Sequence, residues 1–238
     1  RRVLFRSPFD LNKDTLRYDK ILAVSILKLG LPLAAQSLVV SGSFLILNGV
    51  LNTLGLIASA GIGVAGRLTT FIMLFPDAAS QSLSAFTAHN VGARKLCRAK
   101  KALFHAIWMC LVFSALMSIL SFFNGTILTG IFTNDPEVKV AAAQYLKAFA
   151  IDCFLCSVFF SLIGYFNGCG KTTLIMIQGF LGVVIRVAAA FVIRGMTSSL
   201  FLIGLSTPIS SVFQTVLLLT YFFATNRKLT EMYDVQNA

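Results

Sequence analysis

The fold of this 238-residue chain is decided by residues 57–93, which read IASAGIGVAGRLTTFIMLFPDAASQSLSAFTAHNVGA. The stretch is apolar apart from Arg67, Asp77 and a few neutral polar residues, and Pro76 interrupts it. Lipid accepts such a helix because the helix satisfies its own backbone hydrogen bonds. From Ile57 to His89 it would be about 50 Å long at about 1.5 Å per residue, which exceeds the hydrocarbon core of about 30 Å. We therefore expect a membrane helix that tilts, or that kinks at Pro76.

The composition of the whole chain agrees with this interpretation. Hydrophobic residues make up 57% of the sequence, charged residues 12%, and the mean hydropathy is +0.83. A soluble domain has about 25% charged residues. The sequence therefore predicts an all-α integral membrane protein. It begins with Arg1 and shows no signal-peptide pattern, and we expect a fragment of a longer chain.

Apolar segments of membrane length occur six times. The 38 uncharged residues from Leu29 to Gly66 are too long for one span, and the turn-forming residues 48–55 mark the break. We expect residues 1–27 to be a cytoplasmic linker entering an amphipathic helix around Asp14–Lys28. Residues 28–223 would be the transmembrane unit and residues 224–238 a cytoplasmic tail. The six predicted spans are about 29–51, 57–89, 102–123, 138–165, 174–193 and 200–223.

The net charge of +11 does not indicate a nucleic-acid partner. The basic residues flank the apolar spans, and few aromatic residues are interleaved with them. When the N-terminus is placed in the cytoplasm, 15 of the 20 lysines and arginines fall on the cytoplasmic side. This distribution follows the positive-inside rule. We therefore expect both termini to be cytoplasmic.

Several short motifs, in their order along the chain, resemble the second half of the multidrug and toxic compound extrusion (MATE) transporters. The branch that contains the DNA-damage-inducible members is the most similar. The resemblance covers roughly residues 20–225. The motifs are GLPL at 30–33, GIGVAGR at 61–67, HNVGAR at 89–94, NDPEV at 134–138 and NGCGKT at 167–172.

The resemblance implies that this chain is one six-helix lobe of a twelve-helix antiporter. Its partners would be the missing N-terminal six-helix lobe, the lipid bilayer and a small organic substrate. It implies export of organic, often cationic, compounds in exchange for H+ or Na+, with no cofactor or resident metal. The membrane would be the bacterial inner membrane. A flippase for lipid-linked oligosaccharides, from the same superfamily, is the alternative transporter.

Four ionisable residues inside the predicted spans are candidates for transport or coupling: Asp152, Arg186, Asp77 and Arg67. A charge at the bilayer centre costs about 2.5–3.5 kcal/mol on insertion scales, so each should face the bundle interior or a wet cavity. Counted along their spans, Asp152 and Arg186 lie at overlapping depths, and we expect them to pair or to share a water network. A purely structural bridge between them is the alternative.

Uncharged polar residues and prolines complete the candidate site. Gln81 shares a helix face with Asp77, and it is predicted to line the cavity together with Gln36, Asn48 and Gln178. Each of these residues would serve equally as an interhelical hydrogen-bond partner. Pro76 and Pro208 are the expected hinges. A membrane enzyme is disfavoured because two scattered histidines and no clustered catalytic set occur. A purely structural bundle remains the third alternative.

Overall fold

The structure is a computed structural model that describes residues 20–197 and 199–236. The described residues form helices and turns, and six of the helical stretches are long and apolar enough to cross a membrane. Residues 1–19 of the linker predicted at 1–27 lie outside the described part, and residues 20–27 form the first turns of α1. The helices are α1 (Lys20–Asn52), α2 (Leu56–Gly92), α3 (Leu96–Phe123), α4 (Gly125–Gly130), α5 (Pro136–Gly168), α6 (Thr172–Met196), α7 (Leu200–Gly204) and α8 (Ser206–Gln236).

Local sequence signals set the ends of these helices. Asp135 caps α5, because its carboxylate accepts the backbone N–H of Glu137 at 2.9 Å and Pro136 occupies the first helical position. Gly55 turns the chain between α1 and α2 with φ +106°, and Gly170 does so between α5 and α6 with φ +73°. Residues other than glycine rarely adopt these backbone angles.

Two hydrophobic cores fix which turns share an end of the bundle. The first core joins Leu83, Leu103, Tyr165, Ile175 and Phe222. It therefore places the turns at residues 93–95 and 169–171 at one end, together with residue 222 near the end of the described α8 side chains. The second core holds the opposite ends of α1, α2, α5 and α6, and its members are Leu47, Leu51, Ile62, Ala141, Ala190, Leu200 and Ile203. This arrangement is the alternation that six consecutive spans require.

The closest helix pair is α2 with α5, and the two helices run parallel. A Cβ added to Gly61 would lie 2.8 Å from the Cβ of Ala141, and one added to Gly168 would lie 2.5 Å from the carbonyl oxygen of Ser84. One added to Gly164 would overlap the carbonyl oxygen of Ser80. Small residues thus bring the two backbones together at both ends of the pair, as is common in membrane bundles.

Three segments differ in detail from the sequence-based expectation. Residues 96–101, predicted as part of a loop, form the first turns of α3, because Ala99 and Leu103 are buried in the core and the basic side chains are not. The predicted loop at 124–137 contains the short helix α4. The last span is divided into α7 and α8 at Leu205, so Pro208 occupies the first turn of α8 rather than a helix interior.

Candidate functional site

Asp152 is buried in the middle of α5. It lies sixteen residues from either end of α5, about 24 Å along the axis, and its side chain is 2% exposed. The Cys156 thiol donates to its Oδ2 at 3.4 Å, while its Oδ1 has no hydrogen-bond partner. An acidic side chain in this position is costly in a membrane and is usually functional.

Arg186 lies on α6 at a similar depth and is 7% exposed. Its Nη1 donates to the Ser43 hydroxyl at 3.3 Å, and its guanidinium carbon lies 4.6 Å from the centre of the Phe44 ring. Its Nε has no hydrogen-bond partner. The guanidinium is therefore held by α1, through one hydrogen bond and one cation–π contact.

Asp152 and Arg186 attract each other electrostatically but share no hydrogen bond. Their hydrogen-bond partners differ, and each keeps one buried polar atom unpaired. Tyr145 on α5 interacts with both charges, and Ser211 on α8 lies beside the carboxylate. The structure thus places Asp152 and Arg186 at a similar depth in the interior of the bundle, without a hydrogen bond between them.

A seam of buried polar side chains on α8 packs against α6, and the sequence analysis did not identify it. Gln214 donates to the Ser210 hydroxyl at 2.8 Å, and Ser210 donates to the Gly182 carbonyl oxygen at 2.7 Å. Thr215, on the same helix, has a buried hydroxyl without a partner. The spacing of Ser206, Ser210 and Gln214 at four-residue intervals is the signal that would have predicted one polar face.

The predicted neutral polar residues fall in different environments. Gln178 is fully buried on α6, and neither atom of its amide has a hydrogen-bond partner. Gln36 on α1 packs closely against Gly179. Asn48 is exposed near the other end of α1. The first two therefore belong to the interior of the bundle, whereas Asn48 is not brought to the charged pair.

A separate cavity of about 390 Å³ lies between α2 and α5, on the side of the residue 93–95 turn. Asp77 is its only charged lining residue, and Gln81 donates to the Asp77 carboxylate at 2.8 Å. Asp77 and Gln81 therefore share a helix face, as predicted, and Ser84, one turn further on, lines the same cavity. Further lining residues are Ser80, Ala85, Ala88, Phe160, Ile163 and Asn167.

Of the remaining predicted residues, Arg67 lies apart from both sites, whereas Pro76 lies next to the cavity at Asp77. Arg67 is exposed on α2 and has no hydrogen bond or ion pair with the described residues. Pro76 is buried one position before Asp77, inside a continuous α2. Lys147, which the sequence analysis did not single out, lies on α5 with its ammonium 5.9 Å from the centre of the Phe122 ring.

Six membrane-length helices around buried opposite charges define a polytopic membrane protein. Among the residues that the structure describes, no group of three or more His, Cys, Asp or Glu side chains could hold a metal ion. The MatE family model matches residues 32–192, which is more than half of the chain. The chain belongs to the MatE family, whose members are transporters rather than enzymes.

Curated relatives and solved structures agree with this assignment. The chain is 25% identical over 144 residues to the probable multidrug resistance protein YoeA of Bacillus subtilis (strain 168), covering 59% of this chain and 31% of that protein. It is 27% identical over 180 residues to the multidrug export protein MepA of Staphylococcus saprophyticus, covering 76% and 40%. A crystal structure of a MATE protein in complex with MaL6 matches with a TM-score of 0.85 at 17% identity, covering 93% of this chain and 51% of that one.

The matches cover only part of each related protein. The matches span about a third of the length of the first curated relatives and about half of the solved chains. This chain shares the fold of the matched part of the solved MATE structures.

Proposed function

We propose that this chain is the second six-helix lobe of a secondary active exporter, which moves organic, often cationic, compounds out of the cell in exchange for H+ or Na+. The proposal is supported by the family, by the multidrug relatives and by one observation in particular. This observation is Asp152, a buried carboxylate in the middle of a membrane helix with one unpaired oxygen. A group that gains and loses a proton, or that binds and releases Na+, needs such a free oxygen.

Arg186 supports a coupling role for Asp152. The two charges attract each other without sharing a hydrogen bond, and the carboxylate keeps one oxygen without a partner. Binding of H+ or Na+ at the carboxylate would weaken its attraction to the guanidinium. Such a change in the interior of the lobe would bias two states of the bundle, as alternating access requires.

The partner of this lobe would be a second six-helix lobe, with the cleft between the two. Asp77 and Arg67 are exposed on α2 within a membrane span, and the insertion cost disfavours contact of either charge with lipid. The α2 surface that carries them would therefore face the water-filled cleft. Pro76 would allow α2 to bend there, and the break before Pro208 would provide a second flexible point.

The location that goes with this function is the bacterial inner membrane, with both termini in the cytoplasm. The two hydrophobic cores support the cytoplasmic location of the termini, because they gather the basic turns and the end of α8 at one end of the bundle.

The family and the relatives point to multidrug export, and they do not favour the flippase alternative.

The decisive experiment measures coupled transport by the intact gene product in proteoliposomes. A proton gradient or a sodium gradient is imposed separately, and uptake of a fluorescent organic cation is followed. We expect one gradient to drive uptake of the cation. Asp152→Asn should reduce this gradient-driven uptake at least tenfold. The control Glu137→Gln removes an exposed carboxylate at the other end of the bundle and should retain the drive. Unchanged gradient dependence in Asp152→Asn would refute the coupling role.

A further inference from the structure

We propose that the cavity between α2 and α5 is a binding site for amines that are protonated and still carry an N–H bond, in preference to quaternary ammonium ions. This inference rests on the proposed function, since it assigns one class of substrate to one site. It concerns the cavity at Asp77, which is separate from the buried pair of Asp152 and Arg186.

The first argument is the charge of the cavity. Asp77 is its only ionisable lining residue, and no basic side chain lines it. Its carboxylate already accepts one hydrogen bond from Gln81 at 2.8 Å, which fixes its position. A carboxylate has about four acceptor positions, so several remain for a ligand. A cation with a hydrogen-bond donor satisfies both the charge and the free acceptor positions.

The second argument is that the other polar groups are also acceptors. Gln81 uses one of its two N–H bonds on Asp77, and its carbonyl oxygen accepts no hydrogen bond from the described residues, so this oxygen is available as a further acceptor. Asn167 lines the same cavity, and its buried Oδ1 has no hydrogen-bond partner. Ser80 is 5% exposed, lines the cavity, and its hydroxyl makes no hydrogen bond with the described residues. Hydroxyls adapt to either role.

The third argument is the apolar wall, which Phe160 and Ile163 provide together with Ala85 and Ala88. A volume of about 390 Å³ falls within the usual range for small-molecule sites. The wall would accept a compact aromatic or aliphatic body, while the ammonium group meets the acceptors. An aromatic ring also attracts a cation.

A quaternary ammonium ion satisfies only part of this site. It carries the positive charge but has no N–H bond, so the acceptors of Asp77, Gln81 and Asn167 would lose water without gaining a donor. A buried polar group that loses its partner costs about 1–3 kcal/mol. A preference of about tenfold or more for the protonated amine follows, since tenfold in affinity corresponds to about 1.4 kcal/mol.

The site is rigid because the two helices that form it touch through their backbones. Gly164 and Gly168 on α5 meet Ser80 and Ser84 on α2, where a Cβ on either glycine would overlap the partner helix. The cavity opens beside these contacts. Its shape is thus set by backbone positions, and little reorganisation is needed when a ligand binds.

The test uses the intact gene product purified in detergent at pH 7. Two labelled ligands differ by one methyl group: N,N-dimethylphenethylamine, which is protonated at this pH, and phenethyltrimethylammonium. We measure equilibrium binding of both to the wild type and to Asp77→Asn, Asn167→Leu and Glu137→Gln. Glu137 is a matched control, because it lines a shallower groove at the opposite end of α5.

The wild type should bind the tertiary amine at least tenfold more tightly than the quaternary ion. Asp77→Asn should weaken the tertiary amine at least tenfold, Asn167→Leu should reduce the preference to threefold or less, and Glu137→Gln should change neither. Equal affinities in the wild type would overturn the proposal, as would an unchanged preference in both cavity variants. If Asp77→Asn does not yield folded protein, Gln81→Leu replaces it and should likewise weaken binding of the tertiary amine, because it removes the side chain that holds the Asp77 carboxylate in place.

Binding and transport fail independently, so the two proposals are separable. Binding without selectivity, together with gradient-driven transport, rejects the amine site and leaves the exporter standing. Selective binding that Asp77→Asn abolishes, without transport under any imposed gradient, supports the site and rejects the exporter.

Discussion

The buried charges make one quantitative prediction, which concerns the free energy of unfolding of two single variants and of their combination. Arg186→Met removes the guanidinium and keeps most of the side-chain length. Asp152→Asn removes the carboxylate charge and keeps the shape. If the two charges interact as the structure indicates, the cost of losing the arginine depends on whether residue 152 is still an anion.

The structure gives the magnitudes. Arg186→Met loses a charged hydrogen bond to Ser43, worth about 1.5 kcal/mol at its long distance of 3.3 Å. It also loses a cation–π contact with Phe44 of about 1 kcal/mol, and it strands the Asp152 anion. Removing one partner of a buried pair costs about 3–5 kcal/mol, which is our expectation for this variant. Asp152→Asn should cost at most about 1 kcal/mol, because it also relieves the burial of a charge whose one hydrogen bond is a weak thiol contact.

In the double variant no anion is stranded, so the arginine substitution should then cost only about 2 kcal/mol. The coupling energy, which is the difference between these two costs, is expected at about 1–3 kcal/mol. Unfolding in detergent micelles with increasing dodecyl sulfate measures all four free energies. Additive single effects, within about 0.5 kcal/mol, would refute the interaction. Destabilisation by Asp152→Asn as large as that by Arg186→Met would refute the assigned asymmetry.

Three further predictions concern packing, topology and helix capping. Gly164→Ala should destabilise the lobe by about 1–3 kcal/mol in the same unfolding assay, because the new methyl group overlaps the α2 backbone; Gly63→Ala, in open space, should be neutral or slightly stabilising. Cys97, which is exposed, and Cys169, which is half-buried at the same end of the bundle, should both react with an impermeant maleimide in inside-out vesicles and neither in intact cells; labelling in intact cells would contradict a cytoplasmic location. Burial raises the pKa of the Cys169 thiol, so its thiolate fraction is reduced near neutral pH and its labelling should become faster as the pH rises. Asp135→Ala should cost about 1 kcal/mol through loss of the cap on α5, and an unchanged unfolding midpoint would contradict this.

The sequence predicted the number and order of the spans because apolar length is a strong local signal. It also predicted that Asp152 and Arg186 lie at one depth, since depth follows from counting along a helix. The absence of a hydrogen bond between them was not predictable, because it depends on how α1 approaches α6 and presents Ser43 to the guanidinium. Spacing along one helix carries no information about that approach.

Two features of the structure differ from the sequence-based predictions for physical reasons that can be named. The basic residues at 94–101 suggested a loop, but Ala99 and Leu103 are buried one turn apart, and α3 already begins at Leu96, within this basic segment. Long basic side chains extend from such a helix end at little cost. The polar seam with Ser210 and Gln214 was missed because serine and glutamine in a membrane helix were weighed one by one and not as a periodic set.

The parallel pair of α2 and α5 has a mechanical consequence. Their backbones touch near Gly61 at one end and near Gly168 at the other, and these contacts are separated by some 35 Å along α2 at about 1.5 Å per residue. Two helices in contact at both ends cannot slide past each other. A force on the turns at either end of α2 and α5 is therefore expected to tilt the two helices together. The two helices therefore move as a pair, and Pro76 is the point between the two contacts at which α2 can bend.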